Sequence, residues 1–321
     1  MSDERAERPV RETPKETIAF WGYRGLAGVA RSLPEGLGVR TFETMGRAAY
    51  GLLPGVRATV TANQARVLGV EVSDPRAAAA AREAFALYGR YWYDTFRASK
   101  RTTQELNART VMLGLEHVDR ALEAGRGCIC VLPHTGNWDI GGYWFAANGY
   151  RLVAVAEELR PPRLFELFLR HREERGMRIL PLTKSAHVGT QLKQLLSENW
   201  MVALVADRDL TGRGIEVEMF GAPRRIPAGP ALLSITTGAP ILPCPTTTLR
   251  DGWQIRFEAP LELERSGELK ADVAALTRLM AERFERAIAA NPTDWHMFQP
   301  GWEPASAPAR RTRAAPVTPV T

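Results

Sequence analysis

Short apolar runs alternate with helical patterns through the middle of the chain, and this alternation is the feature that most limits the possible folds. Strands are predicted near residues 127–132, 151–156, 178–182 and 200–206. Helical patterns lie between them, an arrangement typical of a mainly parallel sheet with helices on both faces. The sequence therefore predicts an α/β fold.

The last third of the chain shows shorter connections. Further strands are predicted near residues 215–220, 240–248 and 253–258, before a final helix at about 270–290. Short connections favour antiparallel neighbours, so the central sheet is expected to become partly mixed there.

The 321 residues, of which 45% are hydrophobic, are enough for one large domain. Residues 1–14 and 303–321 are expected to be disordered, because neither segment has apolar residues arranged to join a core. The single domain at 15–302 is expected to divide into a part with N-terminal amphipathic helices, 15–100, and an α/β core, 101–302.

The net charge of +6 is concentrated at one end of the chain. Arg310, Arg311 and Arg313 supply half of it, so the rest is only mildly basic. A mild positive charge suits anionic lipid surfaces or phosphorylated ligands. No sequence signature of a nucleic-acid-binding fold is evident, and nucleic acid is not expected as a partner.

The cysteines and the apolar runs bear on the cellular compartment. Cys128, Cys130 and Cys244 are expected to be free, buried thiols in a reducing cytoplasm. The apolar runs fall far short of the roughly 20 residues of a membrane-spanning helix. A soluble or peripheral protein is expected.

The segment near the amino terminus mixes aromatic and basic residues at helical spacing, among them Phe20, Trp21 and Arg24. Such a helix can lie in a membrane interface or pack on the main domain. The pattern alone leaves both possibilities open.

His134 and Asp139 form the first candidate site. His134 follows a predicted buried strand, and the turn at Gly136 and Asn137 leads into a helix that carries Asp139. In this interpretation Asp139 reaches back to orient the imidazole, which acts as a general base. Common nucleophile, nucleotide and zinc motifs are absent from the sequence, so no metal is expected. A base without a protein nucleophile suggests transfer of a group to a substrate hydroxyl.

Asp207, Arg208 and Asp209 form the second candidate site, directly after the apolar run 202–205. Charges at the end of a buried strand need partners or a cleft, so this cluster is expected in the same cleft as His134, with Arg208 or another arginine paired to Asp207. Arg213, just beyond, is a candidate phosphate ligand. A purely structural salt-bridge network is the alternative.

Several motifs together resemble the lysophospholipid acyltransferase superfamily, in the branch that contains the lipid A late acyltransferases. The first is H-x-x-x-x-D, from His134 to Asp139. Four others resemble the phosphatidylinositol mannoside acyltransferases in particular: Asp207-Arg208-Asp209-Leu210, Met219-Phe220-Gly221, Pro227-Ala228-Gly229-Pro230 and Asp294-Trp295-His296-Met297. The resemblance covers about residues 80–302.

This resemblance implies an enzyme that moves a long acyl chain, typically palmitoyl, from acyl-CoA to a mannose hydroxyl of a glycolipid. The matching histidine is the base, Asp139 its partner, Asp207 an acid that holds the site, and Arg172 a ligand of the donor. Backbone amides at Gly136 and Asn137 are expected to hold the oxyanion. Acyl-CoA is a co-substrate, and no cofactor is expected. The protein is expected to be a monomer, peripheral to the cytoplasmic face of the cell membrane.

Two positions depart from the family pattern. Asp207 stands where glutamate is expected, and Thr236 where an acid is expected, so no role is carried over to Thr236.

Two other functions stay open. One is acylation of another lipid, such as a lysophospholipid or a lipid A-like disaccharide, with acyl carrier protein as a possible donor. The other is a non-catalytic lipid-binding module.

Overall fold

The computed structural model describes residues 12–98, 100–158, 160–174, 176–182 and 187–302. Of the two ends predicted to be disordered, residues 1–11 and 303–321 lie outside the described residues, and residues 12–14 lie within them. At residue 13 a Thr caps the first helix, which begins one residue earlier than the predicted start of the domain.

The described residues form α-helices, β-strands and one short 3₁₀ helix. The helices are α1 (Pro14–Ser32), α2 (Glu35–Leu52), α3 (Pro54–Leu68), α4 (Pro75–Ala98), α5 (Thr103–Arg109), α6 (Leu115–Glu123), α7 (Trp138–Ala147), α8 (Pro162–Glu173), α9 (Val188–Ser197), α10 (Gly229–Thr237) and α11 (Leu269–Ala290). The strands are β1 (Thr110–Leu113), β2 (Cys128–Leu132), β3 (Leu152–Glu157), β4 (Arg178–Leu182), β5 (Met201–Val205), β6 (Ile215–Met219), β7 (Ala222–Ile226), β8 (Ile241–Pro243), β9 (Thr246–Leu249) and β10 (Gly252–Arg256). The 3₁₀ helix is Pro292–Asp294.

The central sheet has five strands, in the order β4-β3-β5-β2-β8, and every pair in it is parallel. β2 is buried along its whole length, and its side chains alternate between two hydrophobic cores. Ile129 and Val131 pack in one core with residues of α9, α10 and α11, and Cys130 packs in the other with residues of α6 and α7. The predicted α/β fold, with helices on both faces, is confirmed.

The antiparallel pairs lie outside the central sheet, which corrects the expectation that this sheet itself becomes mixed. β9 pairs with β10 in a separate sheet that β1 joins in parallel, and β6 and β7 form a hairpin. β7 was not predicted, because Pro223, Arg224 and Arg225 give it the composition of a loop. Its register with β6 supplies the backbone hydrogen bonds that hold it as a strand.

Two glycines allow α2 and α4 to pack in direct contact. A side chain at Gly46 would overlap the main-chain carbonyl of Phe85, and one at Gly89 would overlap that of Phe42. This close approach fixes the position of α4, which also contacts α7 and carries Tyr91.

α1 has two different faces. Ala19, Phe20 and Ala30 are buried on the side that contacts α4 and α8, while Ile18 and Trp21 are exposed on the other side. One face of α1 therefore packs on the main domain, and the opposite face leaves apolar side chains exposed. Among the described residues, none of the helices combines the length and apolar character required to span a bilayer. The three cysteines are buried and free, as predicted.

Candidate active site

The candidate base and its acid lie at the carboxyl ends of neighbouring strands. His134 comes two residues after β2 and Asp207 two residues after β5, and the two strands are parallel, with Leu132 opposite Val205. Nδ1 of His134 lies 2.5 Å from Oδ1 of Asp207. Since parallel strands end at the same edge of a sheet, the register alone brings these side chains together. The prediction that Asp207 shares the cleft of His134 is confirmed.

The acid that contacts the imidazole is Asp207, so the predicted pairing of Asp139 with His134 is wrong. Asp139 is the second residue of α7, and its carboxylate lies between α4 and α8. Oδ2 accepts a hydrogen bond from the hydroxyl of Tyr91 at 2.9 Å, and Oδ1 accepts from Nε and Nη2 of Arg172 at 2.9 and 2.8 Å. Proximity in sequence suggested Asp139 as the partner of His134. The pairing of β5 with β2 instead places Asp207 beside the imidazole.

The carboxylate of Asp207 is fully buried, and protein groups bind both of its oxygens. Oδ1 contacts His134, and Oδ2 accepts from Nε1 of Trp295 at 2.8 Å. Burial by itself would raise the pKa of this carboxyl. The neighbouring His134, Arg224 and Trp295 outweigh that effect and hold the pKa of Asp207 below its ordinary value. The group is therefore an ionised acceptor.

A carboxylate accepts hydrogen bonds and does not donate them, so the proton of the contact lies on Nδ1 of His134. Nε2 of the neutral imidazole then carries the lone pair, which is the form that a general base needs. The side chain of His134 is 23% exposed, whereas that of Asp207 is fully enclosed. The acid is thus shielded from water while the base is open to a substrate.

Of the arginines considered as partners of Asp207, Arg224 contacts this residue and Arg208 does not. Arg208 donates to Glu157 instead of Asp207. Arg224, on β7, donates to the main-chain carbonyl of Asp207 at 2.6 Å. Arg172 is tied to Asp139, whose negative charge raises the pKa of the guanidinium although burial opposes it. Arg213 is exposed in the loop after β5. Donor binding by Arg172, Arg208 and Arg213 stays a prediction.

Gly136 and Asn137 shape the loop between β2 and α7. Gly136 has φ +55°, and a Cβ there would lie 2.7 Å from the main chain of Thr246. Its N–H donates to the carbonyl of Asp294 at 3.0 Å, so this amide is not the predicted oxyanion donor. The side chain of Asn137 caps α7 at the N–H of Ile140 and donates to the carbonyl of Tyr91. Both residues support the loop from within.

A segment near the carboxyl terminus holds the same loop, and local sequence patterns did not predict this contact. Thr135 forms an isolated antiparallel bridge with Trp295. The N–H of His296 donates to the carbonyl of His134 at 2.7 Å, and its Nε2 donates to the carbonyl of Gly136 at 3.0 Å. Burial lowers the pKa of His296 to about 3, so the ring is neutral. The only available signal was the quoted Asp294-Trp295-His296-Met297 motif.

Aromatic rings border the imidazole. Trp138 is half-buried and meets the ring of His134 edge to face, with centroids 5.2 Å apart. Tyr91 packs on Trp138 with ring centroids 4.6 Å apart, and Tyr88 packs on Phe298 with ring centroids 4.3 Å apart.

Within the described residues, no cluster of three or more His, Cys, Asp or Glu side chains is arranged to hold a metal ion.

A partly exposed histidine whose tautomer is set by a buried, ionised acid can remove a proton from a bound hydroxyl. Among the contacts of the described residues, no serine or cysteine side chain meets the His134 ring, whose partners are Asp207 and Trp138.

Comparison with known proteins gives the chemistry of this site a context. The phosphatidylinositol mannoside acyltransferase of Mycobacterium tuberculosis is 38% identical over 298 residues, which are 91% of this chain and 91% of that protein. The protein of the same name from Mycolicibacterium smegmatis is 36% identical over 296 residues, which are 91% of this chain and 94% of that protein. Residues 6–303 match the family described as bacterial lipid A biosynthesis acyltransferase. The chain therefore belongs to the bacterial lipid A biosynthesis acyltransferase family.

Proposed function

We propose that this protein transfers a long acyl chain, palmitoyl in the preferred case, from acyl-CoA to a mannose hydroxyl of a phosphatidylinositol mannoside. Acyl transfer to a lipid follows from its family and its relatives. The names of the relatives support the acceptor. The observation that carries the mechanism is the 2.5 Å contact between His134 Nδ1 and Asp207 Oδ1.

In the proposed reaction, Nε2 of His134 removes the proton from the mannose hydroxyl. The oxygen attacks the thioester carbonyl and forms a C–O bond. As the tetrahedral intermediate collapses, the C–S bond breaks, and the proton on Nε2 passes to the departing thiolate of CoA. Asp207 keeps Nδ1 protonated throughout and stabilises the transient imidazolium. The products are an ester and free CoA.

Asp139 supports the proposal as a structural acid. Through Arg172 and Tyr91 it joins α7 to α8 and α4, and the beginning of α7 sets the end of the His134 loop. We therefore assign it the role of holding the loop, and we assign Asp207 the orientation of the base.

We further propose that the protein is a monomer that binds peripherally to the cytoplasmic face of the cell membrane, and the exposed face of α1 supports the membrane contact. Ile18 is 66% and Trp21 57% exposed, and the guanidinium of Arg24 lies 5.5 Å from the Trp21 ring. Aromatic and basic groups side by side suit the boundary between anionic headgroups and acyl chains. This contact would bring His134 to acceptors that reside in the bilayer.

Release of free CoA tests the proposal. Purified protein is mixed with palmitoyl-CoA, with and without extracted phosphatidylinositol mannoside, and thiol is followed by a colorimetric reagent. We expect acceptor-dependent release, reduced by about 10² to 10⁴ in His134→Ala, which is the usual range for loss of a general base. Release only with a lysophospholipid or a lipid A-like acceptor would replace the proposed acceptor. No release with any acceptor, from acyl-CoA or acyl carrier protein, would favour a lipid-binding module.

A further inference from the structure

The second oxygen of the Asp207 carboxylate has a partner that the proposed reaction does not use. Trp295 is 1% exposed, and its indole Nε1–H donates to Oδ2 of Asp207 at 2.8 Å. The first oxygen faces His134. With one donor on each oxygen, the plane of the carboxylate is fixed by the protein.

Trp295 is itself held from two sides. Its backbone pairs with Thr135, the residue that follows His134, so the indole belongs to the same unit as the loop of the base. On the other side the guanidinium of Arg224 lies 5.1 Å from the indole ring, and it also donates to the main-chain carbonyl of Asp207. The indole N–H is therefore aimed at the carboxylate by contacts that reach both members of the His134/Asp207 pair.

Loss of this donor would have a specific consequence. Oδ2 would remain buried with one partner fewer, and the carboxylate could turn about its terminal bond, since a single contact does not define its plane. The oxygen that faces Nδ1 would then no longer have one orientation. The imidazole would spend less time with Nε2 aimed at the acceptor.

We propose that Trp295 is a positioning residue of the acyl transfer, whose indole N–H holds the Asp207 carboxylate in the orientation that aligns His134. The inference rests on the proposed function of His134 as the base. In this proposal Trp295 contacts Asp207, Asp207 orients His134, and Trp295 itself does not touch the reacting atoms.

The fold offers a matched control. Trp253 is also fully buried, and its Nε1 donates to the buried carboxylate of Asp94 at 3.0 Å, outside the His134 pair. Trp295→Phe and Trp253→Phe each delete one indole-to-carboxylate hydrogen bond. We expect Trp295→Phe to lower kcat about tenfold with KM for palmitoyl-CoA nearly unchanged, the size of one hydrogen bond to a charged group. Trp253→Phe should lower thermal stability and leave kcat within about twofold.

A double-mutant cycle separates positioning from loss of packing. If Trp295 acts through Asp207, adding Trp295→Phe to Asp207→Asn should produce little further loss of kcat. Independent losses that multiply would overturn the proposal. Replacement of Trp295 by β-(3-benzothienyl)alanine, which keeps the ring shape and lacks the N–H, covers the case in which phenylalanine disturbs folding, and it should reproduce the tenfold loss.

A measurement without substrate keeps this inference separate from the proposed function. The proton shared by His134 Nδ1 and Asp207 should give a far-downfield ¹H NMR resonance that disappears in His134→Ala. It should shift or broaden in Trp295→Phe and stay unchanged in Trp253→Phe. An unchanged resonance in Trp295→Phe would refute positioning. A shifted resonance in a protein that releases no CoA would retain the positioning contact and reject the proposed acyl transfer.

Discussion

Asp207→Asn is the substitution that most directly tests how the site works, because it keeps the size of the side chain and changes which groups donate. In the native protein, Oδ2 accepts from the Trp295 indole and Oδ1 accepts from Nδ1 of His134. An asparagine has one oxygen and one NH₂ group. Since the indole can only donate, the amide oxygen of the variant should face Trp295.

The NH₂ group of the asparagine then faces His134 and donates to Nδ1. The neutral imidazole must carry its proton on Nε2, the nitrogen that the native protein leaves free to act as a base. From the known cost of the wrong tautomer in other His/Asp sites, we expect kcat to fall by about 10² to 10⁴. This range corresponds to about 3–5 kcal/mol of transition-state stabilisation.

The assay is acceptor-dependent release of CoA, together with circular dichroism and thermal unfolding to establish that the variant is folded. Asp207→Glu is the charge-preserving comparison. It restores an acceptor for both His134 and Trp295, so it should retain more activity than Asp207→Asn even though the longer side chain must shift within a packed site. If folded Asp207→Asn kept kcat within about threefold of wild type, the assignment of Asp207 as the orienting acid would be rejected.

Three further outcomes are expected. Asp139→Asn should lower the free energy of unfolding by about 3 kcal/mol as well as reduce activity, because it leaves the buried guanidinium of Arg172 without its carboxylate; equal urea midpoints for variant and wild type would contradict this. Trp21→Ser should weaken sedimentation with anionic vesicles about tenfold at unchanged melting temperature, whereas Phe20→Ser should lower the melting temperature, because only Phe20 is buried. The pKa of Asp207 is depressed in the folded state, so its stabilisation is present above the unfolded pKa of about 4 and is lost as the pH falls further. The difference in melting temperature between wild type and Asp207→Asn should accordingly shrink on acidification, and a difference independent of pH would show that the carboxylate is not ionised.

Much of the central sheet could be predicted from local patterns. The strands after Gly127, Tyr150, Met177 and Trp200 are predicted within one residue of their observed ends because each is a short, mostly apolar run between turn residues. Of these four strands, β2 is the one that is buried along its whole length. The hairpin strand β7 was missed, since its pairing with β6 overrides the composition of its own residues. The edge of the sheet where His134 lies also followed from sequence, because a residue that follows a parallel strand lies at the carboxyl end.

The partners of the ionisable groups were decided by the tertiary structure. Local patterns were enough to predict that His134 closely follows a buried strand and that Asp139 lies in the next helix. The order of strands, which placed β5 beside β2, brought Asp207 to the imidazole from 73 positions away, and the packing of α4 and α8 turned Asp139 to Tyr91 and Arg172. The physical reason is that a hydrogen bond depends on distances of about 3 Å between atoms, which local propensity cannot specify for residues far apart in the chain. Trp295 lies 88 positions from Asp207 in the chain, and the fold brings the two together next to the backbone bridge between Trp295 and Thr135, a pairing of distant residues that local propensity does not specify.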